Sequence, residues 1–283
     1  VVARYVHRLA VPVPTFEEFV NRAEILGREV CTFTPSQRFD LDIDEFIDHV
    51  RITDSDSALL IRPNNPTGSY LPKSDLVYFL DRMRSLNLVL VDESFLDFAD
   101  VEADPSALDL IGDYPNLLIL KSLSKNCGVP GIRLGYAATG DKQRLADLRK
   151  DLPIWSLNSM AQFFLEEMGS YRLEYIESCR QVREATTNLV KGLEDVPYLH
   201  PYPTQGNFVL CWILYGFTGQ ELAERLFEDC RVLVNVCGAK EGLEGNFIRI
   251  ACRTEEDNSR LVEALKRITR FTGAGKIEPV EVS

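Results

Sequence analysis

Four short polar segments carry the residue types that chemistry requires, and each comes near the end of a predicted β-strand. They are Arg-Pro-Asn-Asn-Pro-Thr-Gly at 62–68, Asp-Glu-Ser-Phe at 92–95, Lys-Ser-Leu-Ser-Lys at 121–125 and Gly-Ile-Arg-Leu-Gly-Tyr at 131–136. In α/β sheets, ligands bind at the carboxyl ends of the strands. The four segments therefore place a carboxylate, an amine with flanking hydroxyls, an Asn and an Arg at one edge of a sheet.

This set of groups suits pyridoxal phosphate. The amine forms a Schiff base, the carboxylate keeps the pyridine nitrogen protonated so that the ring accepts electrons, and hydroxyls with a cation bind the phosphate. Taken singly, each segment also has a purely structural interpretation, because NPTG is a reasonable turn, an Asp after a strand often caps a helix, and SLSK is compatible with a solvated loop. The combination and its order favour the cofactor.

The elements that must position these groups follow the pattern of an α/β fold with a largely parallel sheet. Helices are predicted between the strands. One is expected to open at Thr15, where Thr15 and Glu18 match the S/T-x-x-E capping box, and another has Leu76, Phe79 and Leu80 on one face. The strands of this sheet are predicted at Leu9–Val13, Val30–Phe33, Ala58–Ile61, Leu88–Val91, Leu117–Leu120 and Arg133–Ala138.

The second half of the chain has a different pattern. Residues Ser156–Leu193 are helical in pattern with scarcely a breaker, which is long enough to connect two domains. We expect a large α/β domain at residues 1–152, and a linker helix with a smaller α+β domain at 153–283. The later elements are predicted as strands at Phe208–Leu214, Val232–Val236 and Phe247–Ala251, a helix at Gly219–Asp229, and a helix capped by Thr254.

Composition excludes several classes of protein. The 283 residues carry 31 Lys plus Arg against 43 Asp plus Glu, a net charge of −12, which argues against binding to a nucleic-acid backbone. The longest apolar run, Phe208–Phe217, is about half of the roughly 20 residues that a membrane helix needs. Seven cysteines without a CxxC pair indicate a reducing, cytoplasmic setting, and no metal site is expected. The sequence contains no GxGxxG or GxxxxGK[ST] run to support nucleotide binding.

The chain closely resembles the fold-type-I aminotransferase superfamily of pyridoxal phosphate enzymes. The resemblance is carried, in order, by PTF at 14–16, NNPTG at 64–68, DESF at 92–95, SLSK at 122–125 and GIRLGY at 131–136. Within the superfamily the chain is similar to the histidinol-phosphate aminotransferase and threonine-phosphate decarboxylase branch. The decarboxylases are the closer match, through VDESFLDF, SLSKNCGVPGIRLGY, DLPIWSLNSMA and FIRIACRTEEDNSRL. The resemblance implies the fold-type-I architecture, an amino-acid substrate, pyridoxal 5'-phosphate as cofactor and a homodimer.

The resemblance also implies roles for individual residues. Lys125 is the Schiff-base lysine and the residue that later moves protons, with Lys121 as the nearby rival. Asp92 pairs with the pyridine nitrogen, and Asn65 donates to the phenolic oxygen of the cofactor. Phe16 stacks on the ring, although it also suits an apolar position beside a helix cap. The phosphate is assigned to Ser122, Ser124 and Arg133.

Arg249 is assigned to the substrate α-carboxylate, since the planar guanidinium binds a carboxylate through two hydrogen bonds. An ion pair at a strand edge is its structural alternative. Asn65, Asn158 and Asn207 match family positions near the substrate. Glu93 is expected to be solvated or to support the site from behind. Asp97 and Asp100 are expected in a polar loop, and His7, His49 and His200 lie outside the motifs.

Three departures from the family pattern bear on function. The family has a leading segment before PTF that contributes to the cofactor and substrate sites, and this sequence starts after it. Phe95 stands where many members have a Tyr that donates to the cofactor. Asn235 stands fourteen residues before Arg249, where the phosphate-substrate enzymes have an Arg. We therefore expect poor use of histidinol phosphate and a smaller or less charged distal group on the substrate, unless Lys240 or the leading segment replaces that Arg.

Two functions remain open at this point. The first is a pyridoxal phosphate enzyme that acts on a small L-amino acid or amino-acid phosphate through Lys125, by transamination or decarboxylation. The second is a catalytically silent or truncated module that serves in association, because the superfamily builds its active sites at a dimer interface.

Overall fold

The computed structural model describes residues 2–35, 39–101 and 105–271. In the first part of the chain, helices alternate with strands. The helices are α1 (Val2–Tyr5), α2 (Glu18–Ile25), α3 (Ile43–Ile52), α4 (Lys73–Arg82), α5 (Leu123–Asn126) and α6 (Lys142–Asp151). The strands are β1 (Arg8–Pro12), β2 (Glu29–Phe33), β3 (Ser57–Ile61), β4 (Leu88–Asp92), β5 (Leu117–Ser122) and β6 (Gly135–Ala138). Single 3₁₀ turns lie at Leu96–Phe98, Leu108–Leu110 and Pro130–Ile132.

The six strands form one sheet in the order β2-β1-β3-β4-β5-β6. Strands β1 to β5 are parallel, and β6 runs antiparallel to β5 at the edge. This sheet confirms the predicted α/β class, and each predicted strand is present within two residues of its expected ends. Because β1 to β5 are parallel, the loops after β1, β3, β4 and β5 meet at one edge of the sheet.

Both faces of the sheet carry buried apolar residues, as is required of parallel strands that lie between two layers of helices. In β3, Ala58 and Leu60 pack into the cluster on one face, whereas Leu59 packs into the cluster on the other. Helix α4 covers the first of these faces with Leu76, Phe79 and Leu80, which confirms the predicted apolar stripe. Both layers hold the strand ends, and with them the polar loops, in fixed positions.

The predicted start of helix α2 at Thr15 is wrong. The helix begins at Glu18, and its N-cap residue Glu17 makes no capping hydrogen bond through its side chain. Thr15 is instead buried in the loop after β1. Asn64 holds this loop at the edge of the sheet, because its Nδ2 donates to the carbonyl of Pro14 at 2.9 Å. A tertiary contact therefore overrides the local capping pattern.

The second part of the chain forms a smaller antiparallel sheet. Its elements are helices α7 (Ser159–Met168), α8 (Arg172–Glu194), α9 (Gly219–Cys230) and α10 (Glu255–Phe271), and strands β7 (Leu199–Pro201), β8 (Phe208–Ile213), β9 (Asn235–Val236) and β10 (Phe247–Ala251). The strand order is β7-β8-β10-β9. A single hydrophobic cluster joins this sheet to α8, α9 and α10.

Several details of this half differ from the sequence prediction. The long helical stretch is broken by a 3₁₀ turn at Gly169–Tyr171. Strand β7 was not predicted, and β9 is shorter than the predicted strand at 232–236. Thr254 does cap α10, because its Oγ1 accepts from the backbone N–H of Asp257 at 3.2 Å. Within the described parts of the chain, no helix combines the length and apolar character needed to cross a membrane.

Candidate active site

Sheet register brings three of the candidate residues to the same edge. Asp92 is the last residue of β4, and its pairing partners are Ile61 on β3 and Leu120 on β5. Asn65 lies in the loop that follows Ile61. Lys125 lies on the single-turn helix α5, which begins directly after β5. Adjacent parallel strands thus place an amide, a carboxylate and an amine side by side, as the sequence predicts.

Asp92 is a buried carboxylate, only 9% exposed. Burial raises its pKa, and hydrogen bonds from Ser94 together with the positive charge of Lys125 oppose this rise. The backbone N–H of Ser94 donates to Asp92 Oδ1 at 2.8 Å. The ionised form of a buried carboxylate is stabilised by a positive charge close to it, and a protonated ring nitrogen carries such a charge.

The amine of Lys125 has a lowered pKa. Partial burial lowers its pKa, the negative charge of Asp92 opposes this effect, and the positive charge of Arg133 adds to it. Its Nζ lies 5.5 Å from the centre of the Phe95 ring. A lower pKa leaves more of the neutral amine at a given pH, and the neutral amine is the form that reacts with an aldehyde.

Lys121, the rival lysine, forms an ion pair elsewhere. Its Nζ lies 2.7 Å from Asp97 Oδ2, and the two side chains are only 12% and 21% exposed. Asn126 donates to the same carboxylate oxygen and to the hydroxyl of Tyr175 on α8. The sequence suggested that Asp97 lies in a solvated polar loop, and this expectation is wrong. It belongs to a network that anchors α5, the helix of Lys125, to α8.

The three candidate phosphate ligands lie close to Lys125 along the chain and in the sheet. Ser122 is the N-cap of α5, and its Oγ accepts from the backbone N–H of Ser124 at 3.3 Å. Ser122 is paired with Gly135 on β6, two residues after Arg133. Arg133 adopts a left-handed backbone conformation with φ of 56°, and its side chain is exposed apart from a bond to the carbonyl of Pro130. The segment from the end of β5 to the start of β6 thus carries two hydroxyls and one guanidinium.

Arg249, in strand β10, reaches from the small sheet to the edge of the large one. Its Nη1 donates to Asn65 Oδ1, and its guanidinium carbon lies 5.3 Å from the centre of the Phe208 ring. Burial lowers its pKa. Its Nε is buried without a hydrogen-bond partner, and no carboxylate in the described ranges lies within ion-pair distance. Among the described residues Arg249 therefore forms no strand-edge ion pair, and its assignment to a substrate carboxylate stays a prediction.

The remaining three candidates differ in how they are placed. Phe16 is 44% exposed and touches Phe19 edge-on, with 6.0 Å between the ring centres. Asn207 lines a cavity of about 1050 Å³ together with Lys125. Asn158 uses both ends of its amide within the fold, since Oδ1 caps α7 and Nδ2 donates to the carbonyl of Ile132. Asn158 thus fastens α7 to the loop that carries Arg133.

Sequence reasoning missed one pair of residues beside the site. Of the two expectations for Glu93, the solvated one is wrong, because its side chain is completely buried and bound to Arg62, which is also completely buried. This position agrees with the other expectation, a role behind the site. Both residues belong to the polar motifs of the sequence, but no local pattern pairs two residues that are 31 positions apart.

Taken together, the donor set fits pyridoxal phosphate. Within the described residues it offers a buried carboxylate without an ion-pair partner, an amine of lowered pKa, and two serine hydroxyls in the same segment as the guanidinium of Arg133. A second guanidinium, that of Arg249, donates from Nη1 to Asn65 and has a buried Nε without a hydrogen-bond partner. Each feature leaves a charge or a donor uncompensated where the cofactor or an amino-acid carboxylate would compensate it.

Comparison with known proteins agrees with this chemistry. Residues 6–265 match the model of the family described as "Aminotransferase class I and II". The chain is 36% identical over 275 residues to a CMP-5'-(3-aminopropyl)phosphonate synthase of Streptomyces rubellomurinus. The matched region covers 95% of this chain and 42% of the synthase. It thus spans less than half the length of that relative.

A second relative is covered more completely. The chain is 32% identical to an L-serine phosphate decarboxylase of Sulfurospirillum multivorans, over 94% of this chain and 69% of the decarboxylase. A solved structure of a decarboxylase from the same organism superimposes with a TM-score of 0.85 at 30% identity, covering 93% of this chain and 76% of the other. Histidinol-phosphate aminotransferases and a threonine-phosphate decarboxylase are also similar, at lower identity. These matches confirm the branch and the fold type that the motifs predicted.

Proposed function

Because the chain belongs to the aminotransferase class I and II family, whose members depend on pyridoxal phosphate, we propose that it acts on a small L-amino acid or amino-acid phosphate through Lys125. One observation carries this proposal: the amine of Lys125, with its pKa lowered, stands at the same sheet edge as the buried carboxylate of Asp92. A catalytically silent module is not favoured, because the similar proteins are named as amino-acid phosphate decarboxylases and aminotransferases.

Different residues of the site have different roles toward the cofactor. When bound, pyridoxal phosphate supplies an electron-accepting ring that weakens the bonds at the substrate α-carbon. With the cofactor bound, Asp92 would hold a proton on the ring nitrogen through its negative charge. Lys125 would deliver a proton to the α-carbon after loss of the carboxylate, or would move the α-proton in a transamination. The contacts to ring and phosphate are assigned to Phe16, Asn65, Ser122, Ser124 and Arg133.

The substrate carboxylate is assigned to Arg249. Its guanidinium presents two parallel donors to a carboxylate, and partial desolvation strengthens each of these charge-assisted bonds. Asn65 orients the guanidinium by accepting from Nη1. Asn207 borders the adjoining cavity and Asn158 holds the nearby loop.

We favour decarboxylation of an amino-acid phosphate, or of a related phosphorus-containing amino acid, over transamination. Two relatives above 30% identity support this choice: one is a serine phosphate decarboxylase, and the name of the other describes an aminopropyl product that lacks a carboxylate. Transamination is the second candidate, supported by histidinol-phosphate aminotransferases at 29% identity.

The proposal extends to the assembly and setting of the chain. The loop before α7 and α7 itself expose a row of apolar side chains, including Ile154 (83% exposed), Trp155 (92%) and Phe163 (61%). Such a surface suits burial against a second copy, and we propose a homodimer. We also propose a cytoplasmic setting, since all seven cysteines are free thiols. The division into domains at 1–152 and 153–283 remains a proposal; residues 272–283 lie outside the described part of the chain.

The test is a product assay on the purified holoenzyme. With O-phospho-L-serine we expect release of carbon dioxide and phosphoethanolamine, and with histidinol phosphate and 2-oxoglutarate little formation of glutamate. Lys125→Ala should abolish both reactions. Glutamate formation without carbon dioxide would favour transamination, and no reaction of either kind with a panel of L-amino acids and their phosphates would contradict the proposal.

A further inference from the structure

Helix α5, which carries Lys125, is too short to hold itself in place. It has four residues, whereas isolated helices shorter than about 12 residues are only marginally stable in water. The chain turns away directly behind it, because Gly128 adopts a left-handed conformation with φ of 67°. The orientation of Lys125 must therefore be fixed by contacts that α5 makes with other elements.

Asn126, the neighbour of Lys125, supplies such a contact. It is 7% exposed, and its Nδ2 donates to Asp97 Oδ2 at 3.0 Å and to the hydroxyl of Tyr175 on α8 at 2.8 Å. Its Oδ1 accepts from the backbone N–H of Cys127 at 3.1 Å. Both ends of this amide are engaged, so that its orientation is determined.

The hydroxyl of Tyr175 keeps its proton at neutral pH. Burial, the negative charge of Asp97 and a hydrogen bond to that carboxylate raise the pKa of Tyr175. The hydroxyl therefore donates to Asp97 while it accepts from Asn126. Asp97 is also paired with Lys121 at 2.7 Å, so that the charges of these two residues largely cancel.

Helix α8, which carries Tyr175, is packed against both halves of the chain. Leu189 belongs to the hydrophobic cluster of the small sheet, and Val182 packs against a cluster of three buried phenylalanine side chains from both halves. Arg183 Nη1 donates to the carbonyl of Asp97 at 3.0 Å. The loop after β4 is thus bound to α8 a second time, and Tyr175 is held by a well-anchored element.

We propose that Tyr175 is a positioning residue that holds the Lys125 amine in its reactive position through Asn126. Tyr175, Asn126 and Lys125 line the same cavity of about 1050 Å³. The inference rests on the proposed function and adds to it a residue of α8. Alignment of this kind matters, because displacing a reacting group by about 1 Å can cost up to about a hundredfold in rate.

The pKa of Lys125 reports this positioning. Partial burial lowers the pKa, the negative charge of Asp92 raises it, and the positive charge of Arg133 lowers it. Lys121 and Asp97, the other charged groups beside α5, are paired with each other. Burial is the largest of these effects, so an amine that is released toward water should have a pKa closer to the ordinary lysine value. A residue that only stabilises the fold would not change this pKa.

The first measurement uses the full chain without cofactor. Reductive methylation with formaldehyde at a series of pH values, read by peptide mass spectrometry, gives the apparent pKa of the Lys125 amine. In Tyr175→Phe we expect this pKa to rise by about half a unit to one unit, the value of one hydrogen bond between neutral groups. Asn126→Ala should also raise it. Adding Tyr175→Phe to Asn126→Ala should then have a smaller effect than Tyr175→Phe alone, because both changes interrupt the same chain of contacts.

The second measurement uses the holoenzyme with O-phospho-L-serine. Tyr175→Phe should lower kcat about three- to tenfold and leave KM within about twofold of wild type. The reason for this division is that the substrate carboxylate is assigned to Arg249, which the substitution does not touch, whereas the proton transfers depend on Lys125.

Tyr198→Phe is the matched control. Tyr198 is another buried tyrosine, whose hydroxyl donates to the carbonyl of Leu265 at 3.0 Å within the hydrophobic cluster of the small sheet. Both Tyr→Phe variants should lower the melting temperature by about 2–4 °C. We expect only Tyr175→Phe to change the pKa of Lys125 and kcat.

An unchanged Lys125 pKa in both Tyr175→Phe and Asn126→Ala overturns the inference and leaves the proposed function standing. An equal rise in Tyr198→Phe also overturns it, because the effect would then reflect stability alone. A wild-type holoenzyme that converts no amino acid or amino-acid phosphate contradicts the proposed function, whereas the pKa of Lys125 in the variants still decides whether Tyr175 positions this amine.

Discussion

The guanidinium of Arg62 and the carboxylate of Glu93 form an ion pair at 3.0 Å in which neither side chain is exposed to solvent. Arg62 stands between β3 and the loop of Asn65, and Glu93 directly follows Asp92. The backbone N–H of Arg62 also donates to the carbonyl of Asp92 at 2.9 Å. The buried pair therefore fastens together the two loops that carry the proposed cofactor contacts.

Additional hydrogen bonds compensate the burial of these charges. Arg62 donates to the carbonyls of Leu71 and Pro105. Glu93 accepts from the hydroxyl of Ser106 at 2.7 Å and from the backbone N–H of Ala107 at 2.9 Å. A buried ion pair becomes tolerable when its remaining donors and acceptors are satisfied in this way. The pair also neutralises Glu93, so that Asp92 remains the effective negative charge at the site.

Removing one partner of this pair should destabilise the protein strongly. We expect Arg62→Met and Glu93→Gln each to lower the free energy of unfolding by about 3–5 kcal/mol, because each leaves a buried charge without its counter-charge. The double variant should lose less than the sum of the two, since the residues contact one another. Urea denaturation measures these values.

The control for this prediction is Arg22→Met. Arg22 is paired with Glu18 at 2.6 Å, but both side chains are more than half exposed. The loss should stay below about 1 kcal/mol, as for other exposed pairs. A cost for the buried pair no larger than that of Arg22→Met would show that the pair does not stabilise the two loops.

Borohydride reduction of the holoenzyme should attach the cofactor to Lys125. The amine of Lys121 is bound to Asp97 in a mostly buried ion pair, whereas Lys125 stands beside Asp92 with a lowered pKa. Peptide mapping by mass spectrometry identifies the modified residue. Lys121→Ala should retain the adduct and Lys125→Ala should lose it. An adduct on Lys121 in the wild-type protein would refute the assignment.

Asp92→Asn should stabilise the cofactor-free protein near neutral pH. Because burial raises the pKa of Asp92 in the folded state, the folded protein binds more protons than the unfolded chain at pH values just above the ordinary aspartate pKa. The contribution of Asp92 to stability is thus full at low pH and is lost as the pH rises through its folded-state pKa. Asn stays neutral, so this loss should disappear.

Thermal unfolding of the cofactor-free wild type and Asp92→Asn between pH 3 and pH 8 provides the measurement. The difference in melting temperature should widen in favour of the variant as the pH rises. The same substitution should weaken the visible absorption of added cofactor, because the ring nitrogen loses its counter-charge. A wild type that is more stable than Asp92→Asn across this range would contradict the reasoning.

Phe95→Tyr should lower the pH at which the visible absorption band of the holoenzyme changes. Phe95 is buried, packs edge-on against Phe208 at 5.1 Å between ring centres, and lies near the Lys125 amine. A phenol there adds a donor to the cofactor oxygen, which lowers the proton affinity of the nitrogen at Lys125. At roughly 1.5–3 kcal/mol for a bond to a charged group, the shift should be about one to two pKa units.

Spectrophotometric titration of wild type and Phe95→Tyr decides this point. Phe208→Tyr is a useful companion, because it introduces the same hydroxyl on the neighbouring ring. Its band should titrate close to the wild-type pH. An unchanged or higher titration pH in Phe95→Tyr would mean that the hydroxyl at this position does not reach the cofactor.

The sequence alone determined the class of the fold and the identity of the chemical groups. Short apolar runs between helical stretches predict parallel strands, because only strands buried on both faces are apolar throughout. Polar motifs directly after such strands must meet at one edge. For this reason Asp92, Asn65 and Lys125 could be placed together without coordinates. Local patterns were less reliable at Thr15, where a contact between Asn64 and Pro14 replaces the capping box.

Only the tertiary structure decided which charged groups pair with one another. Arg62 and Glu93 are 31 residues apart in the sequence, and Lys240 and Glu17 are 223 residues apart. Lys121 and Lys125 are distinguished by the ion pair of Lys121 with Asp97. A sequence shows which charges exist, but the energy of a charge depends on its burial and on the distance to its partners. Those quantities are set when both sheets pack, which is why the ion pairs around this site could not be predicted from the chain itself.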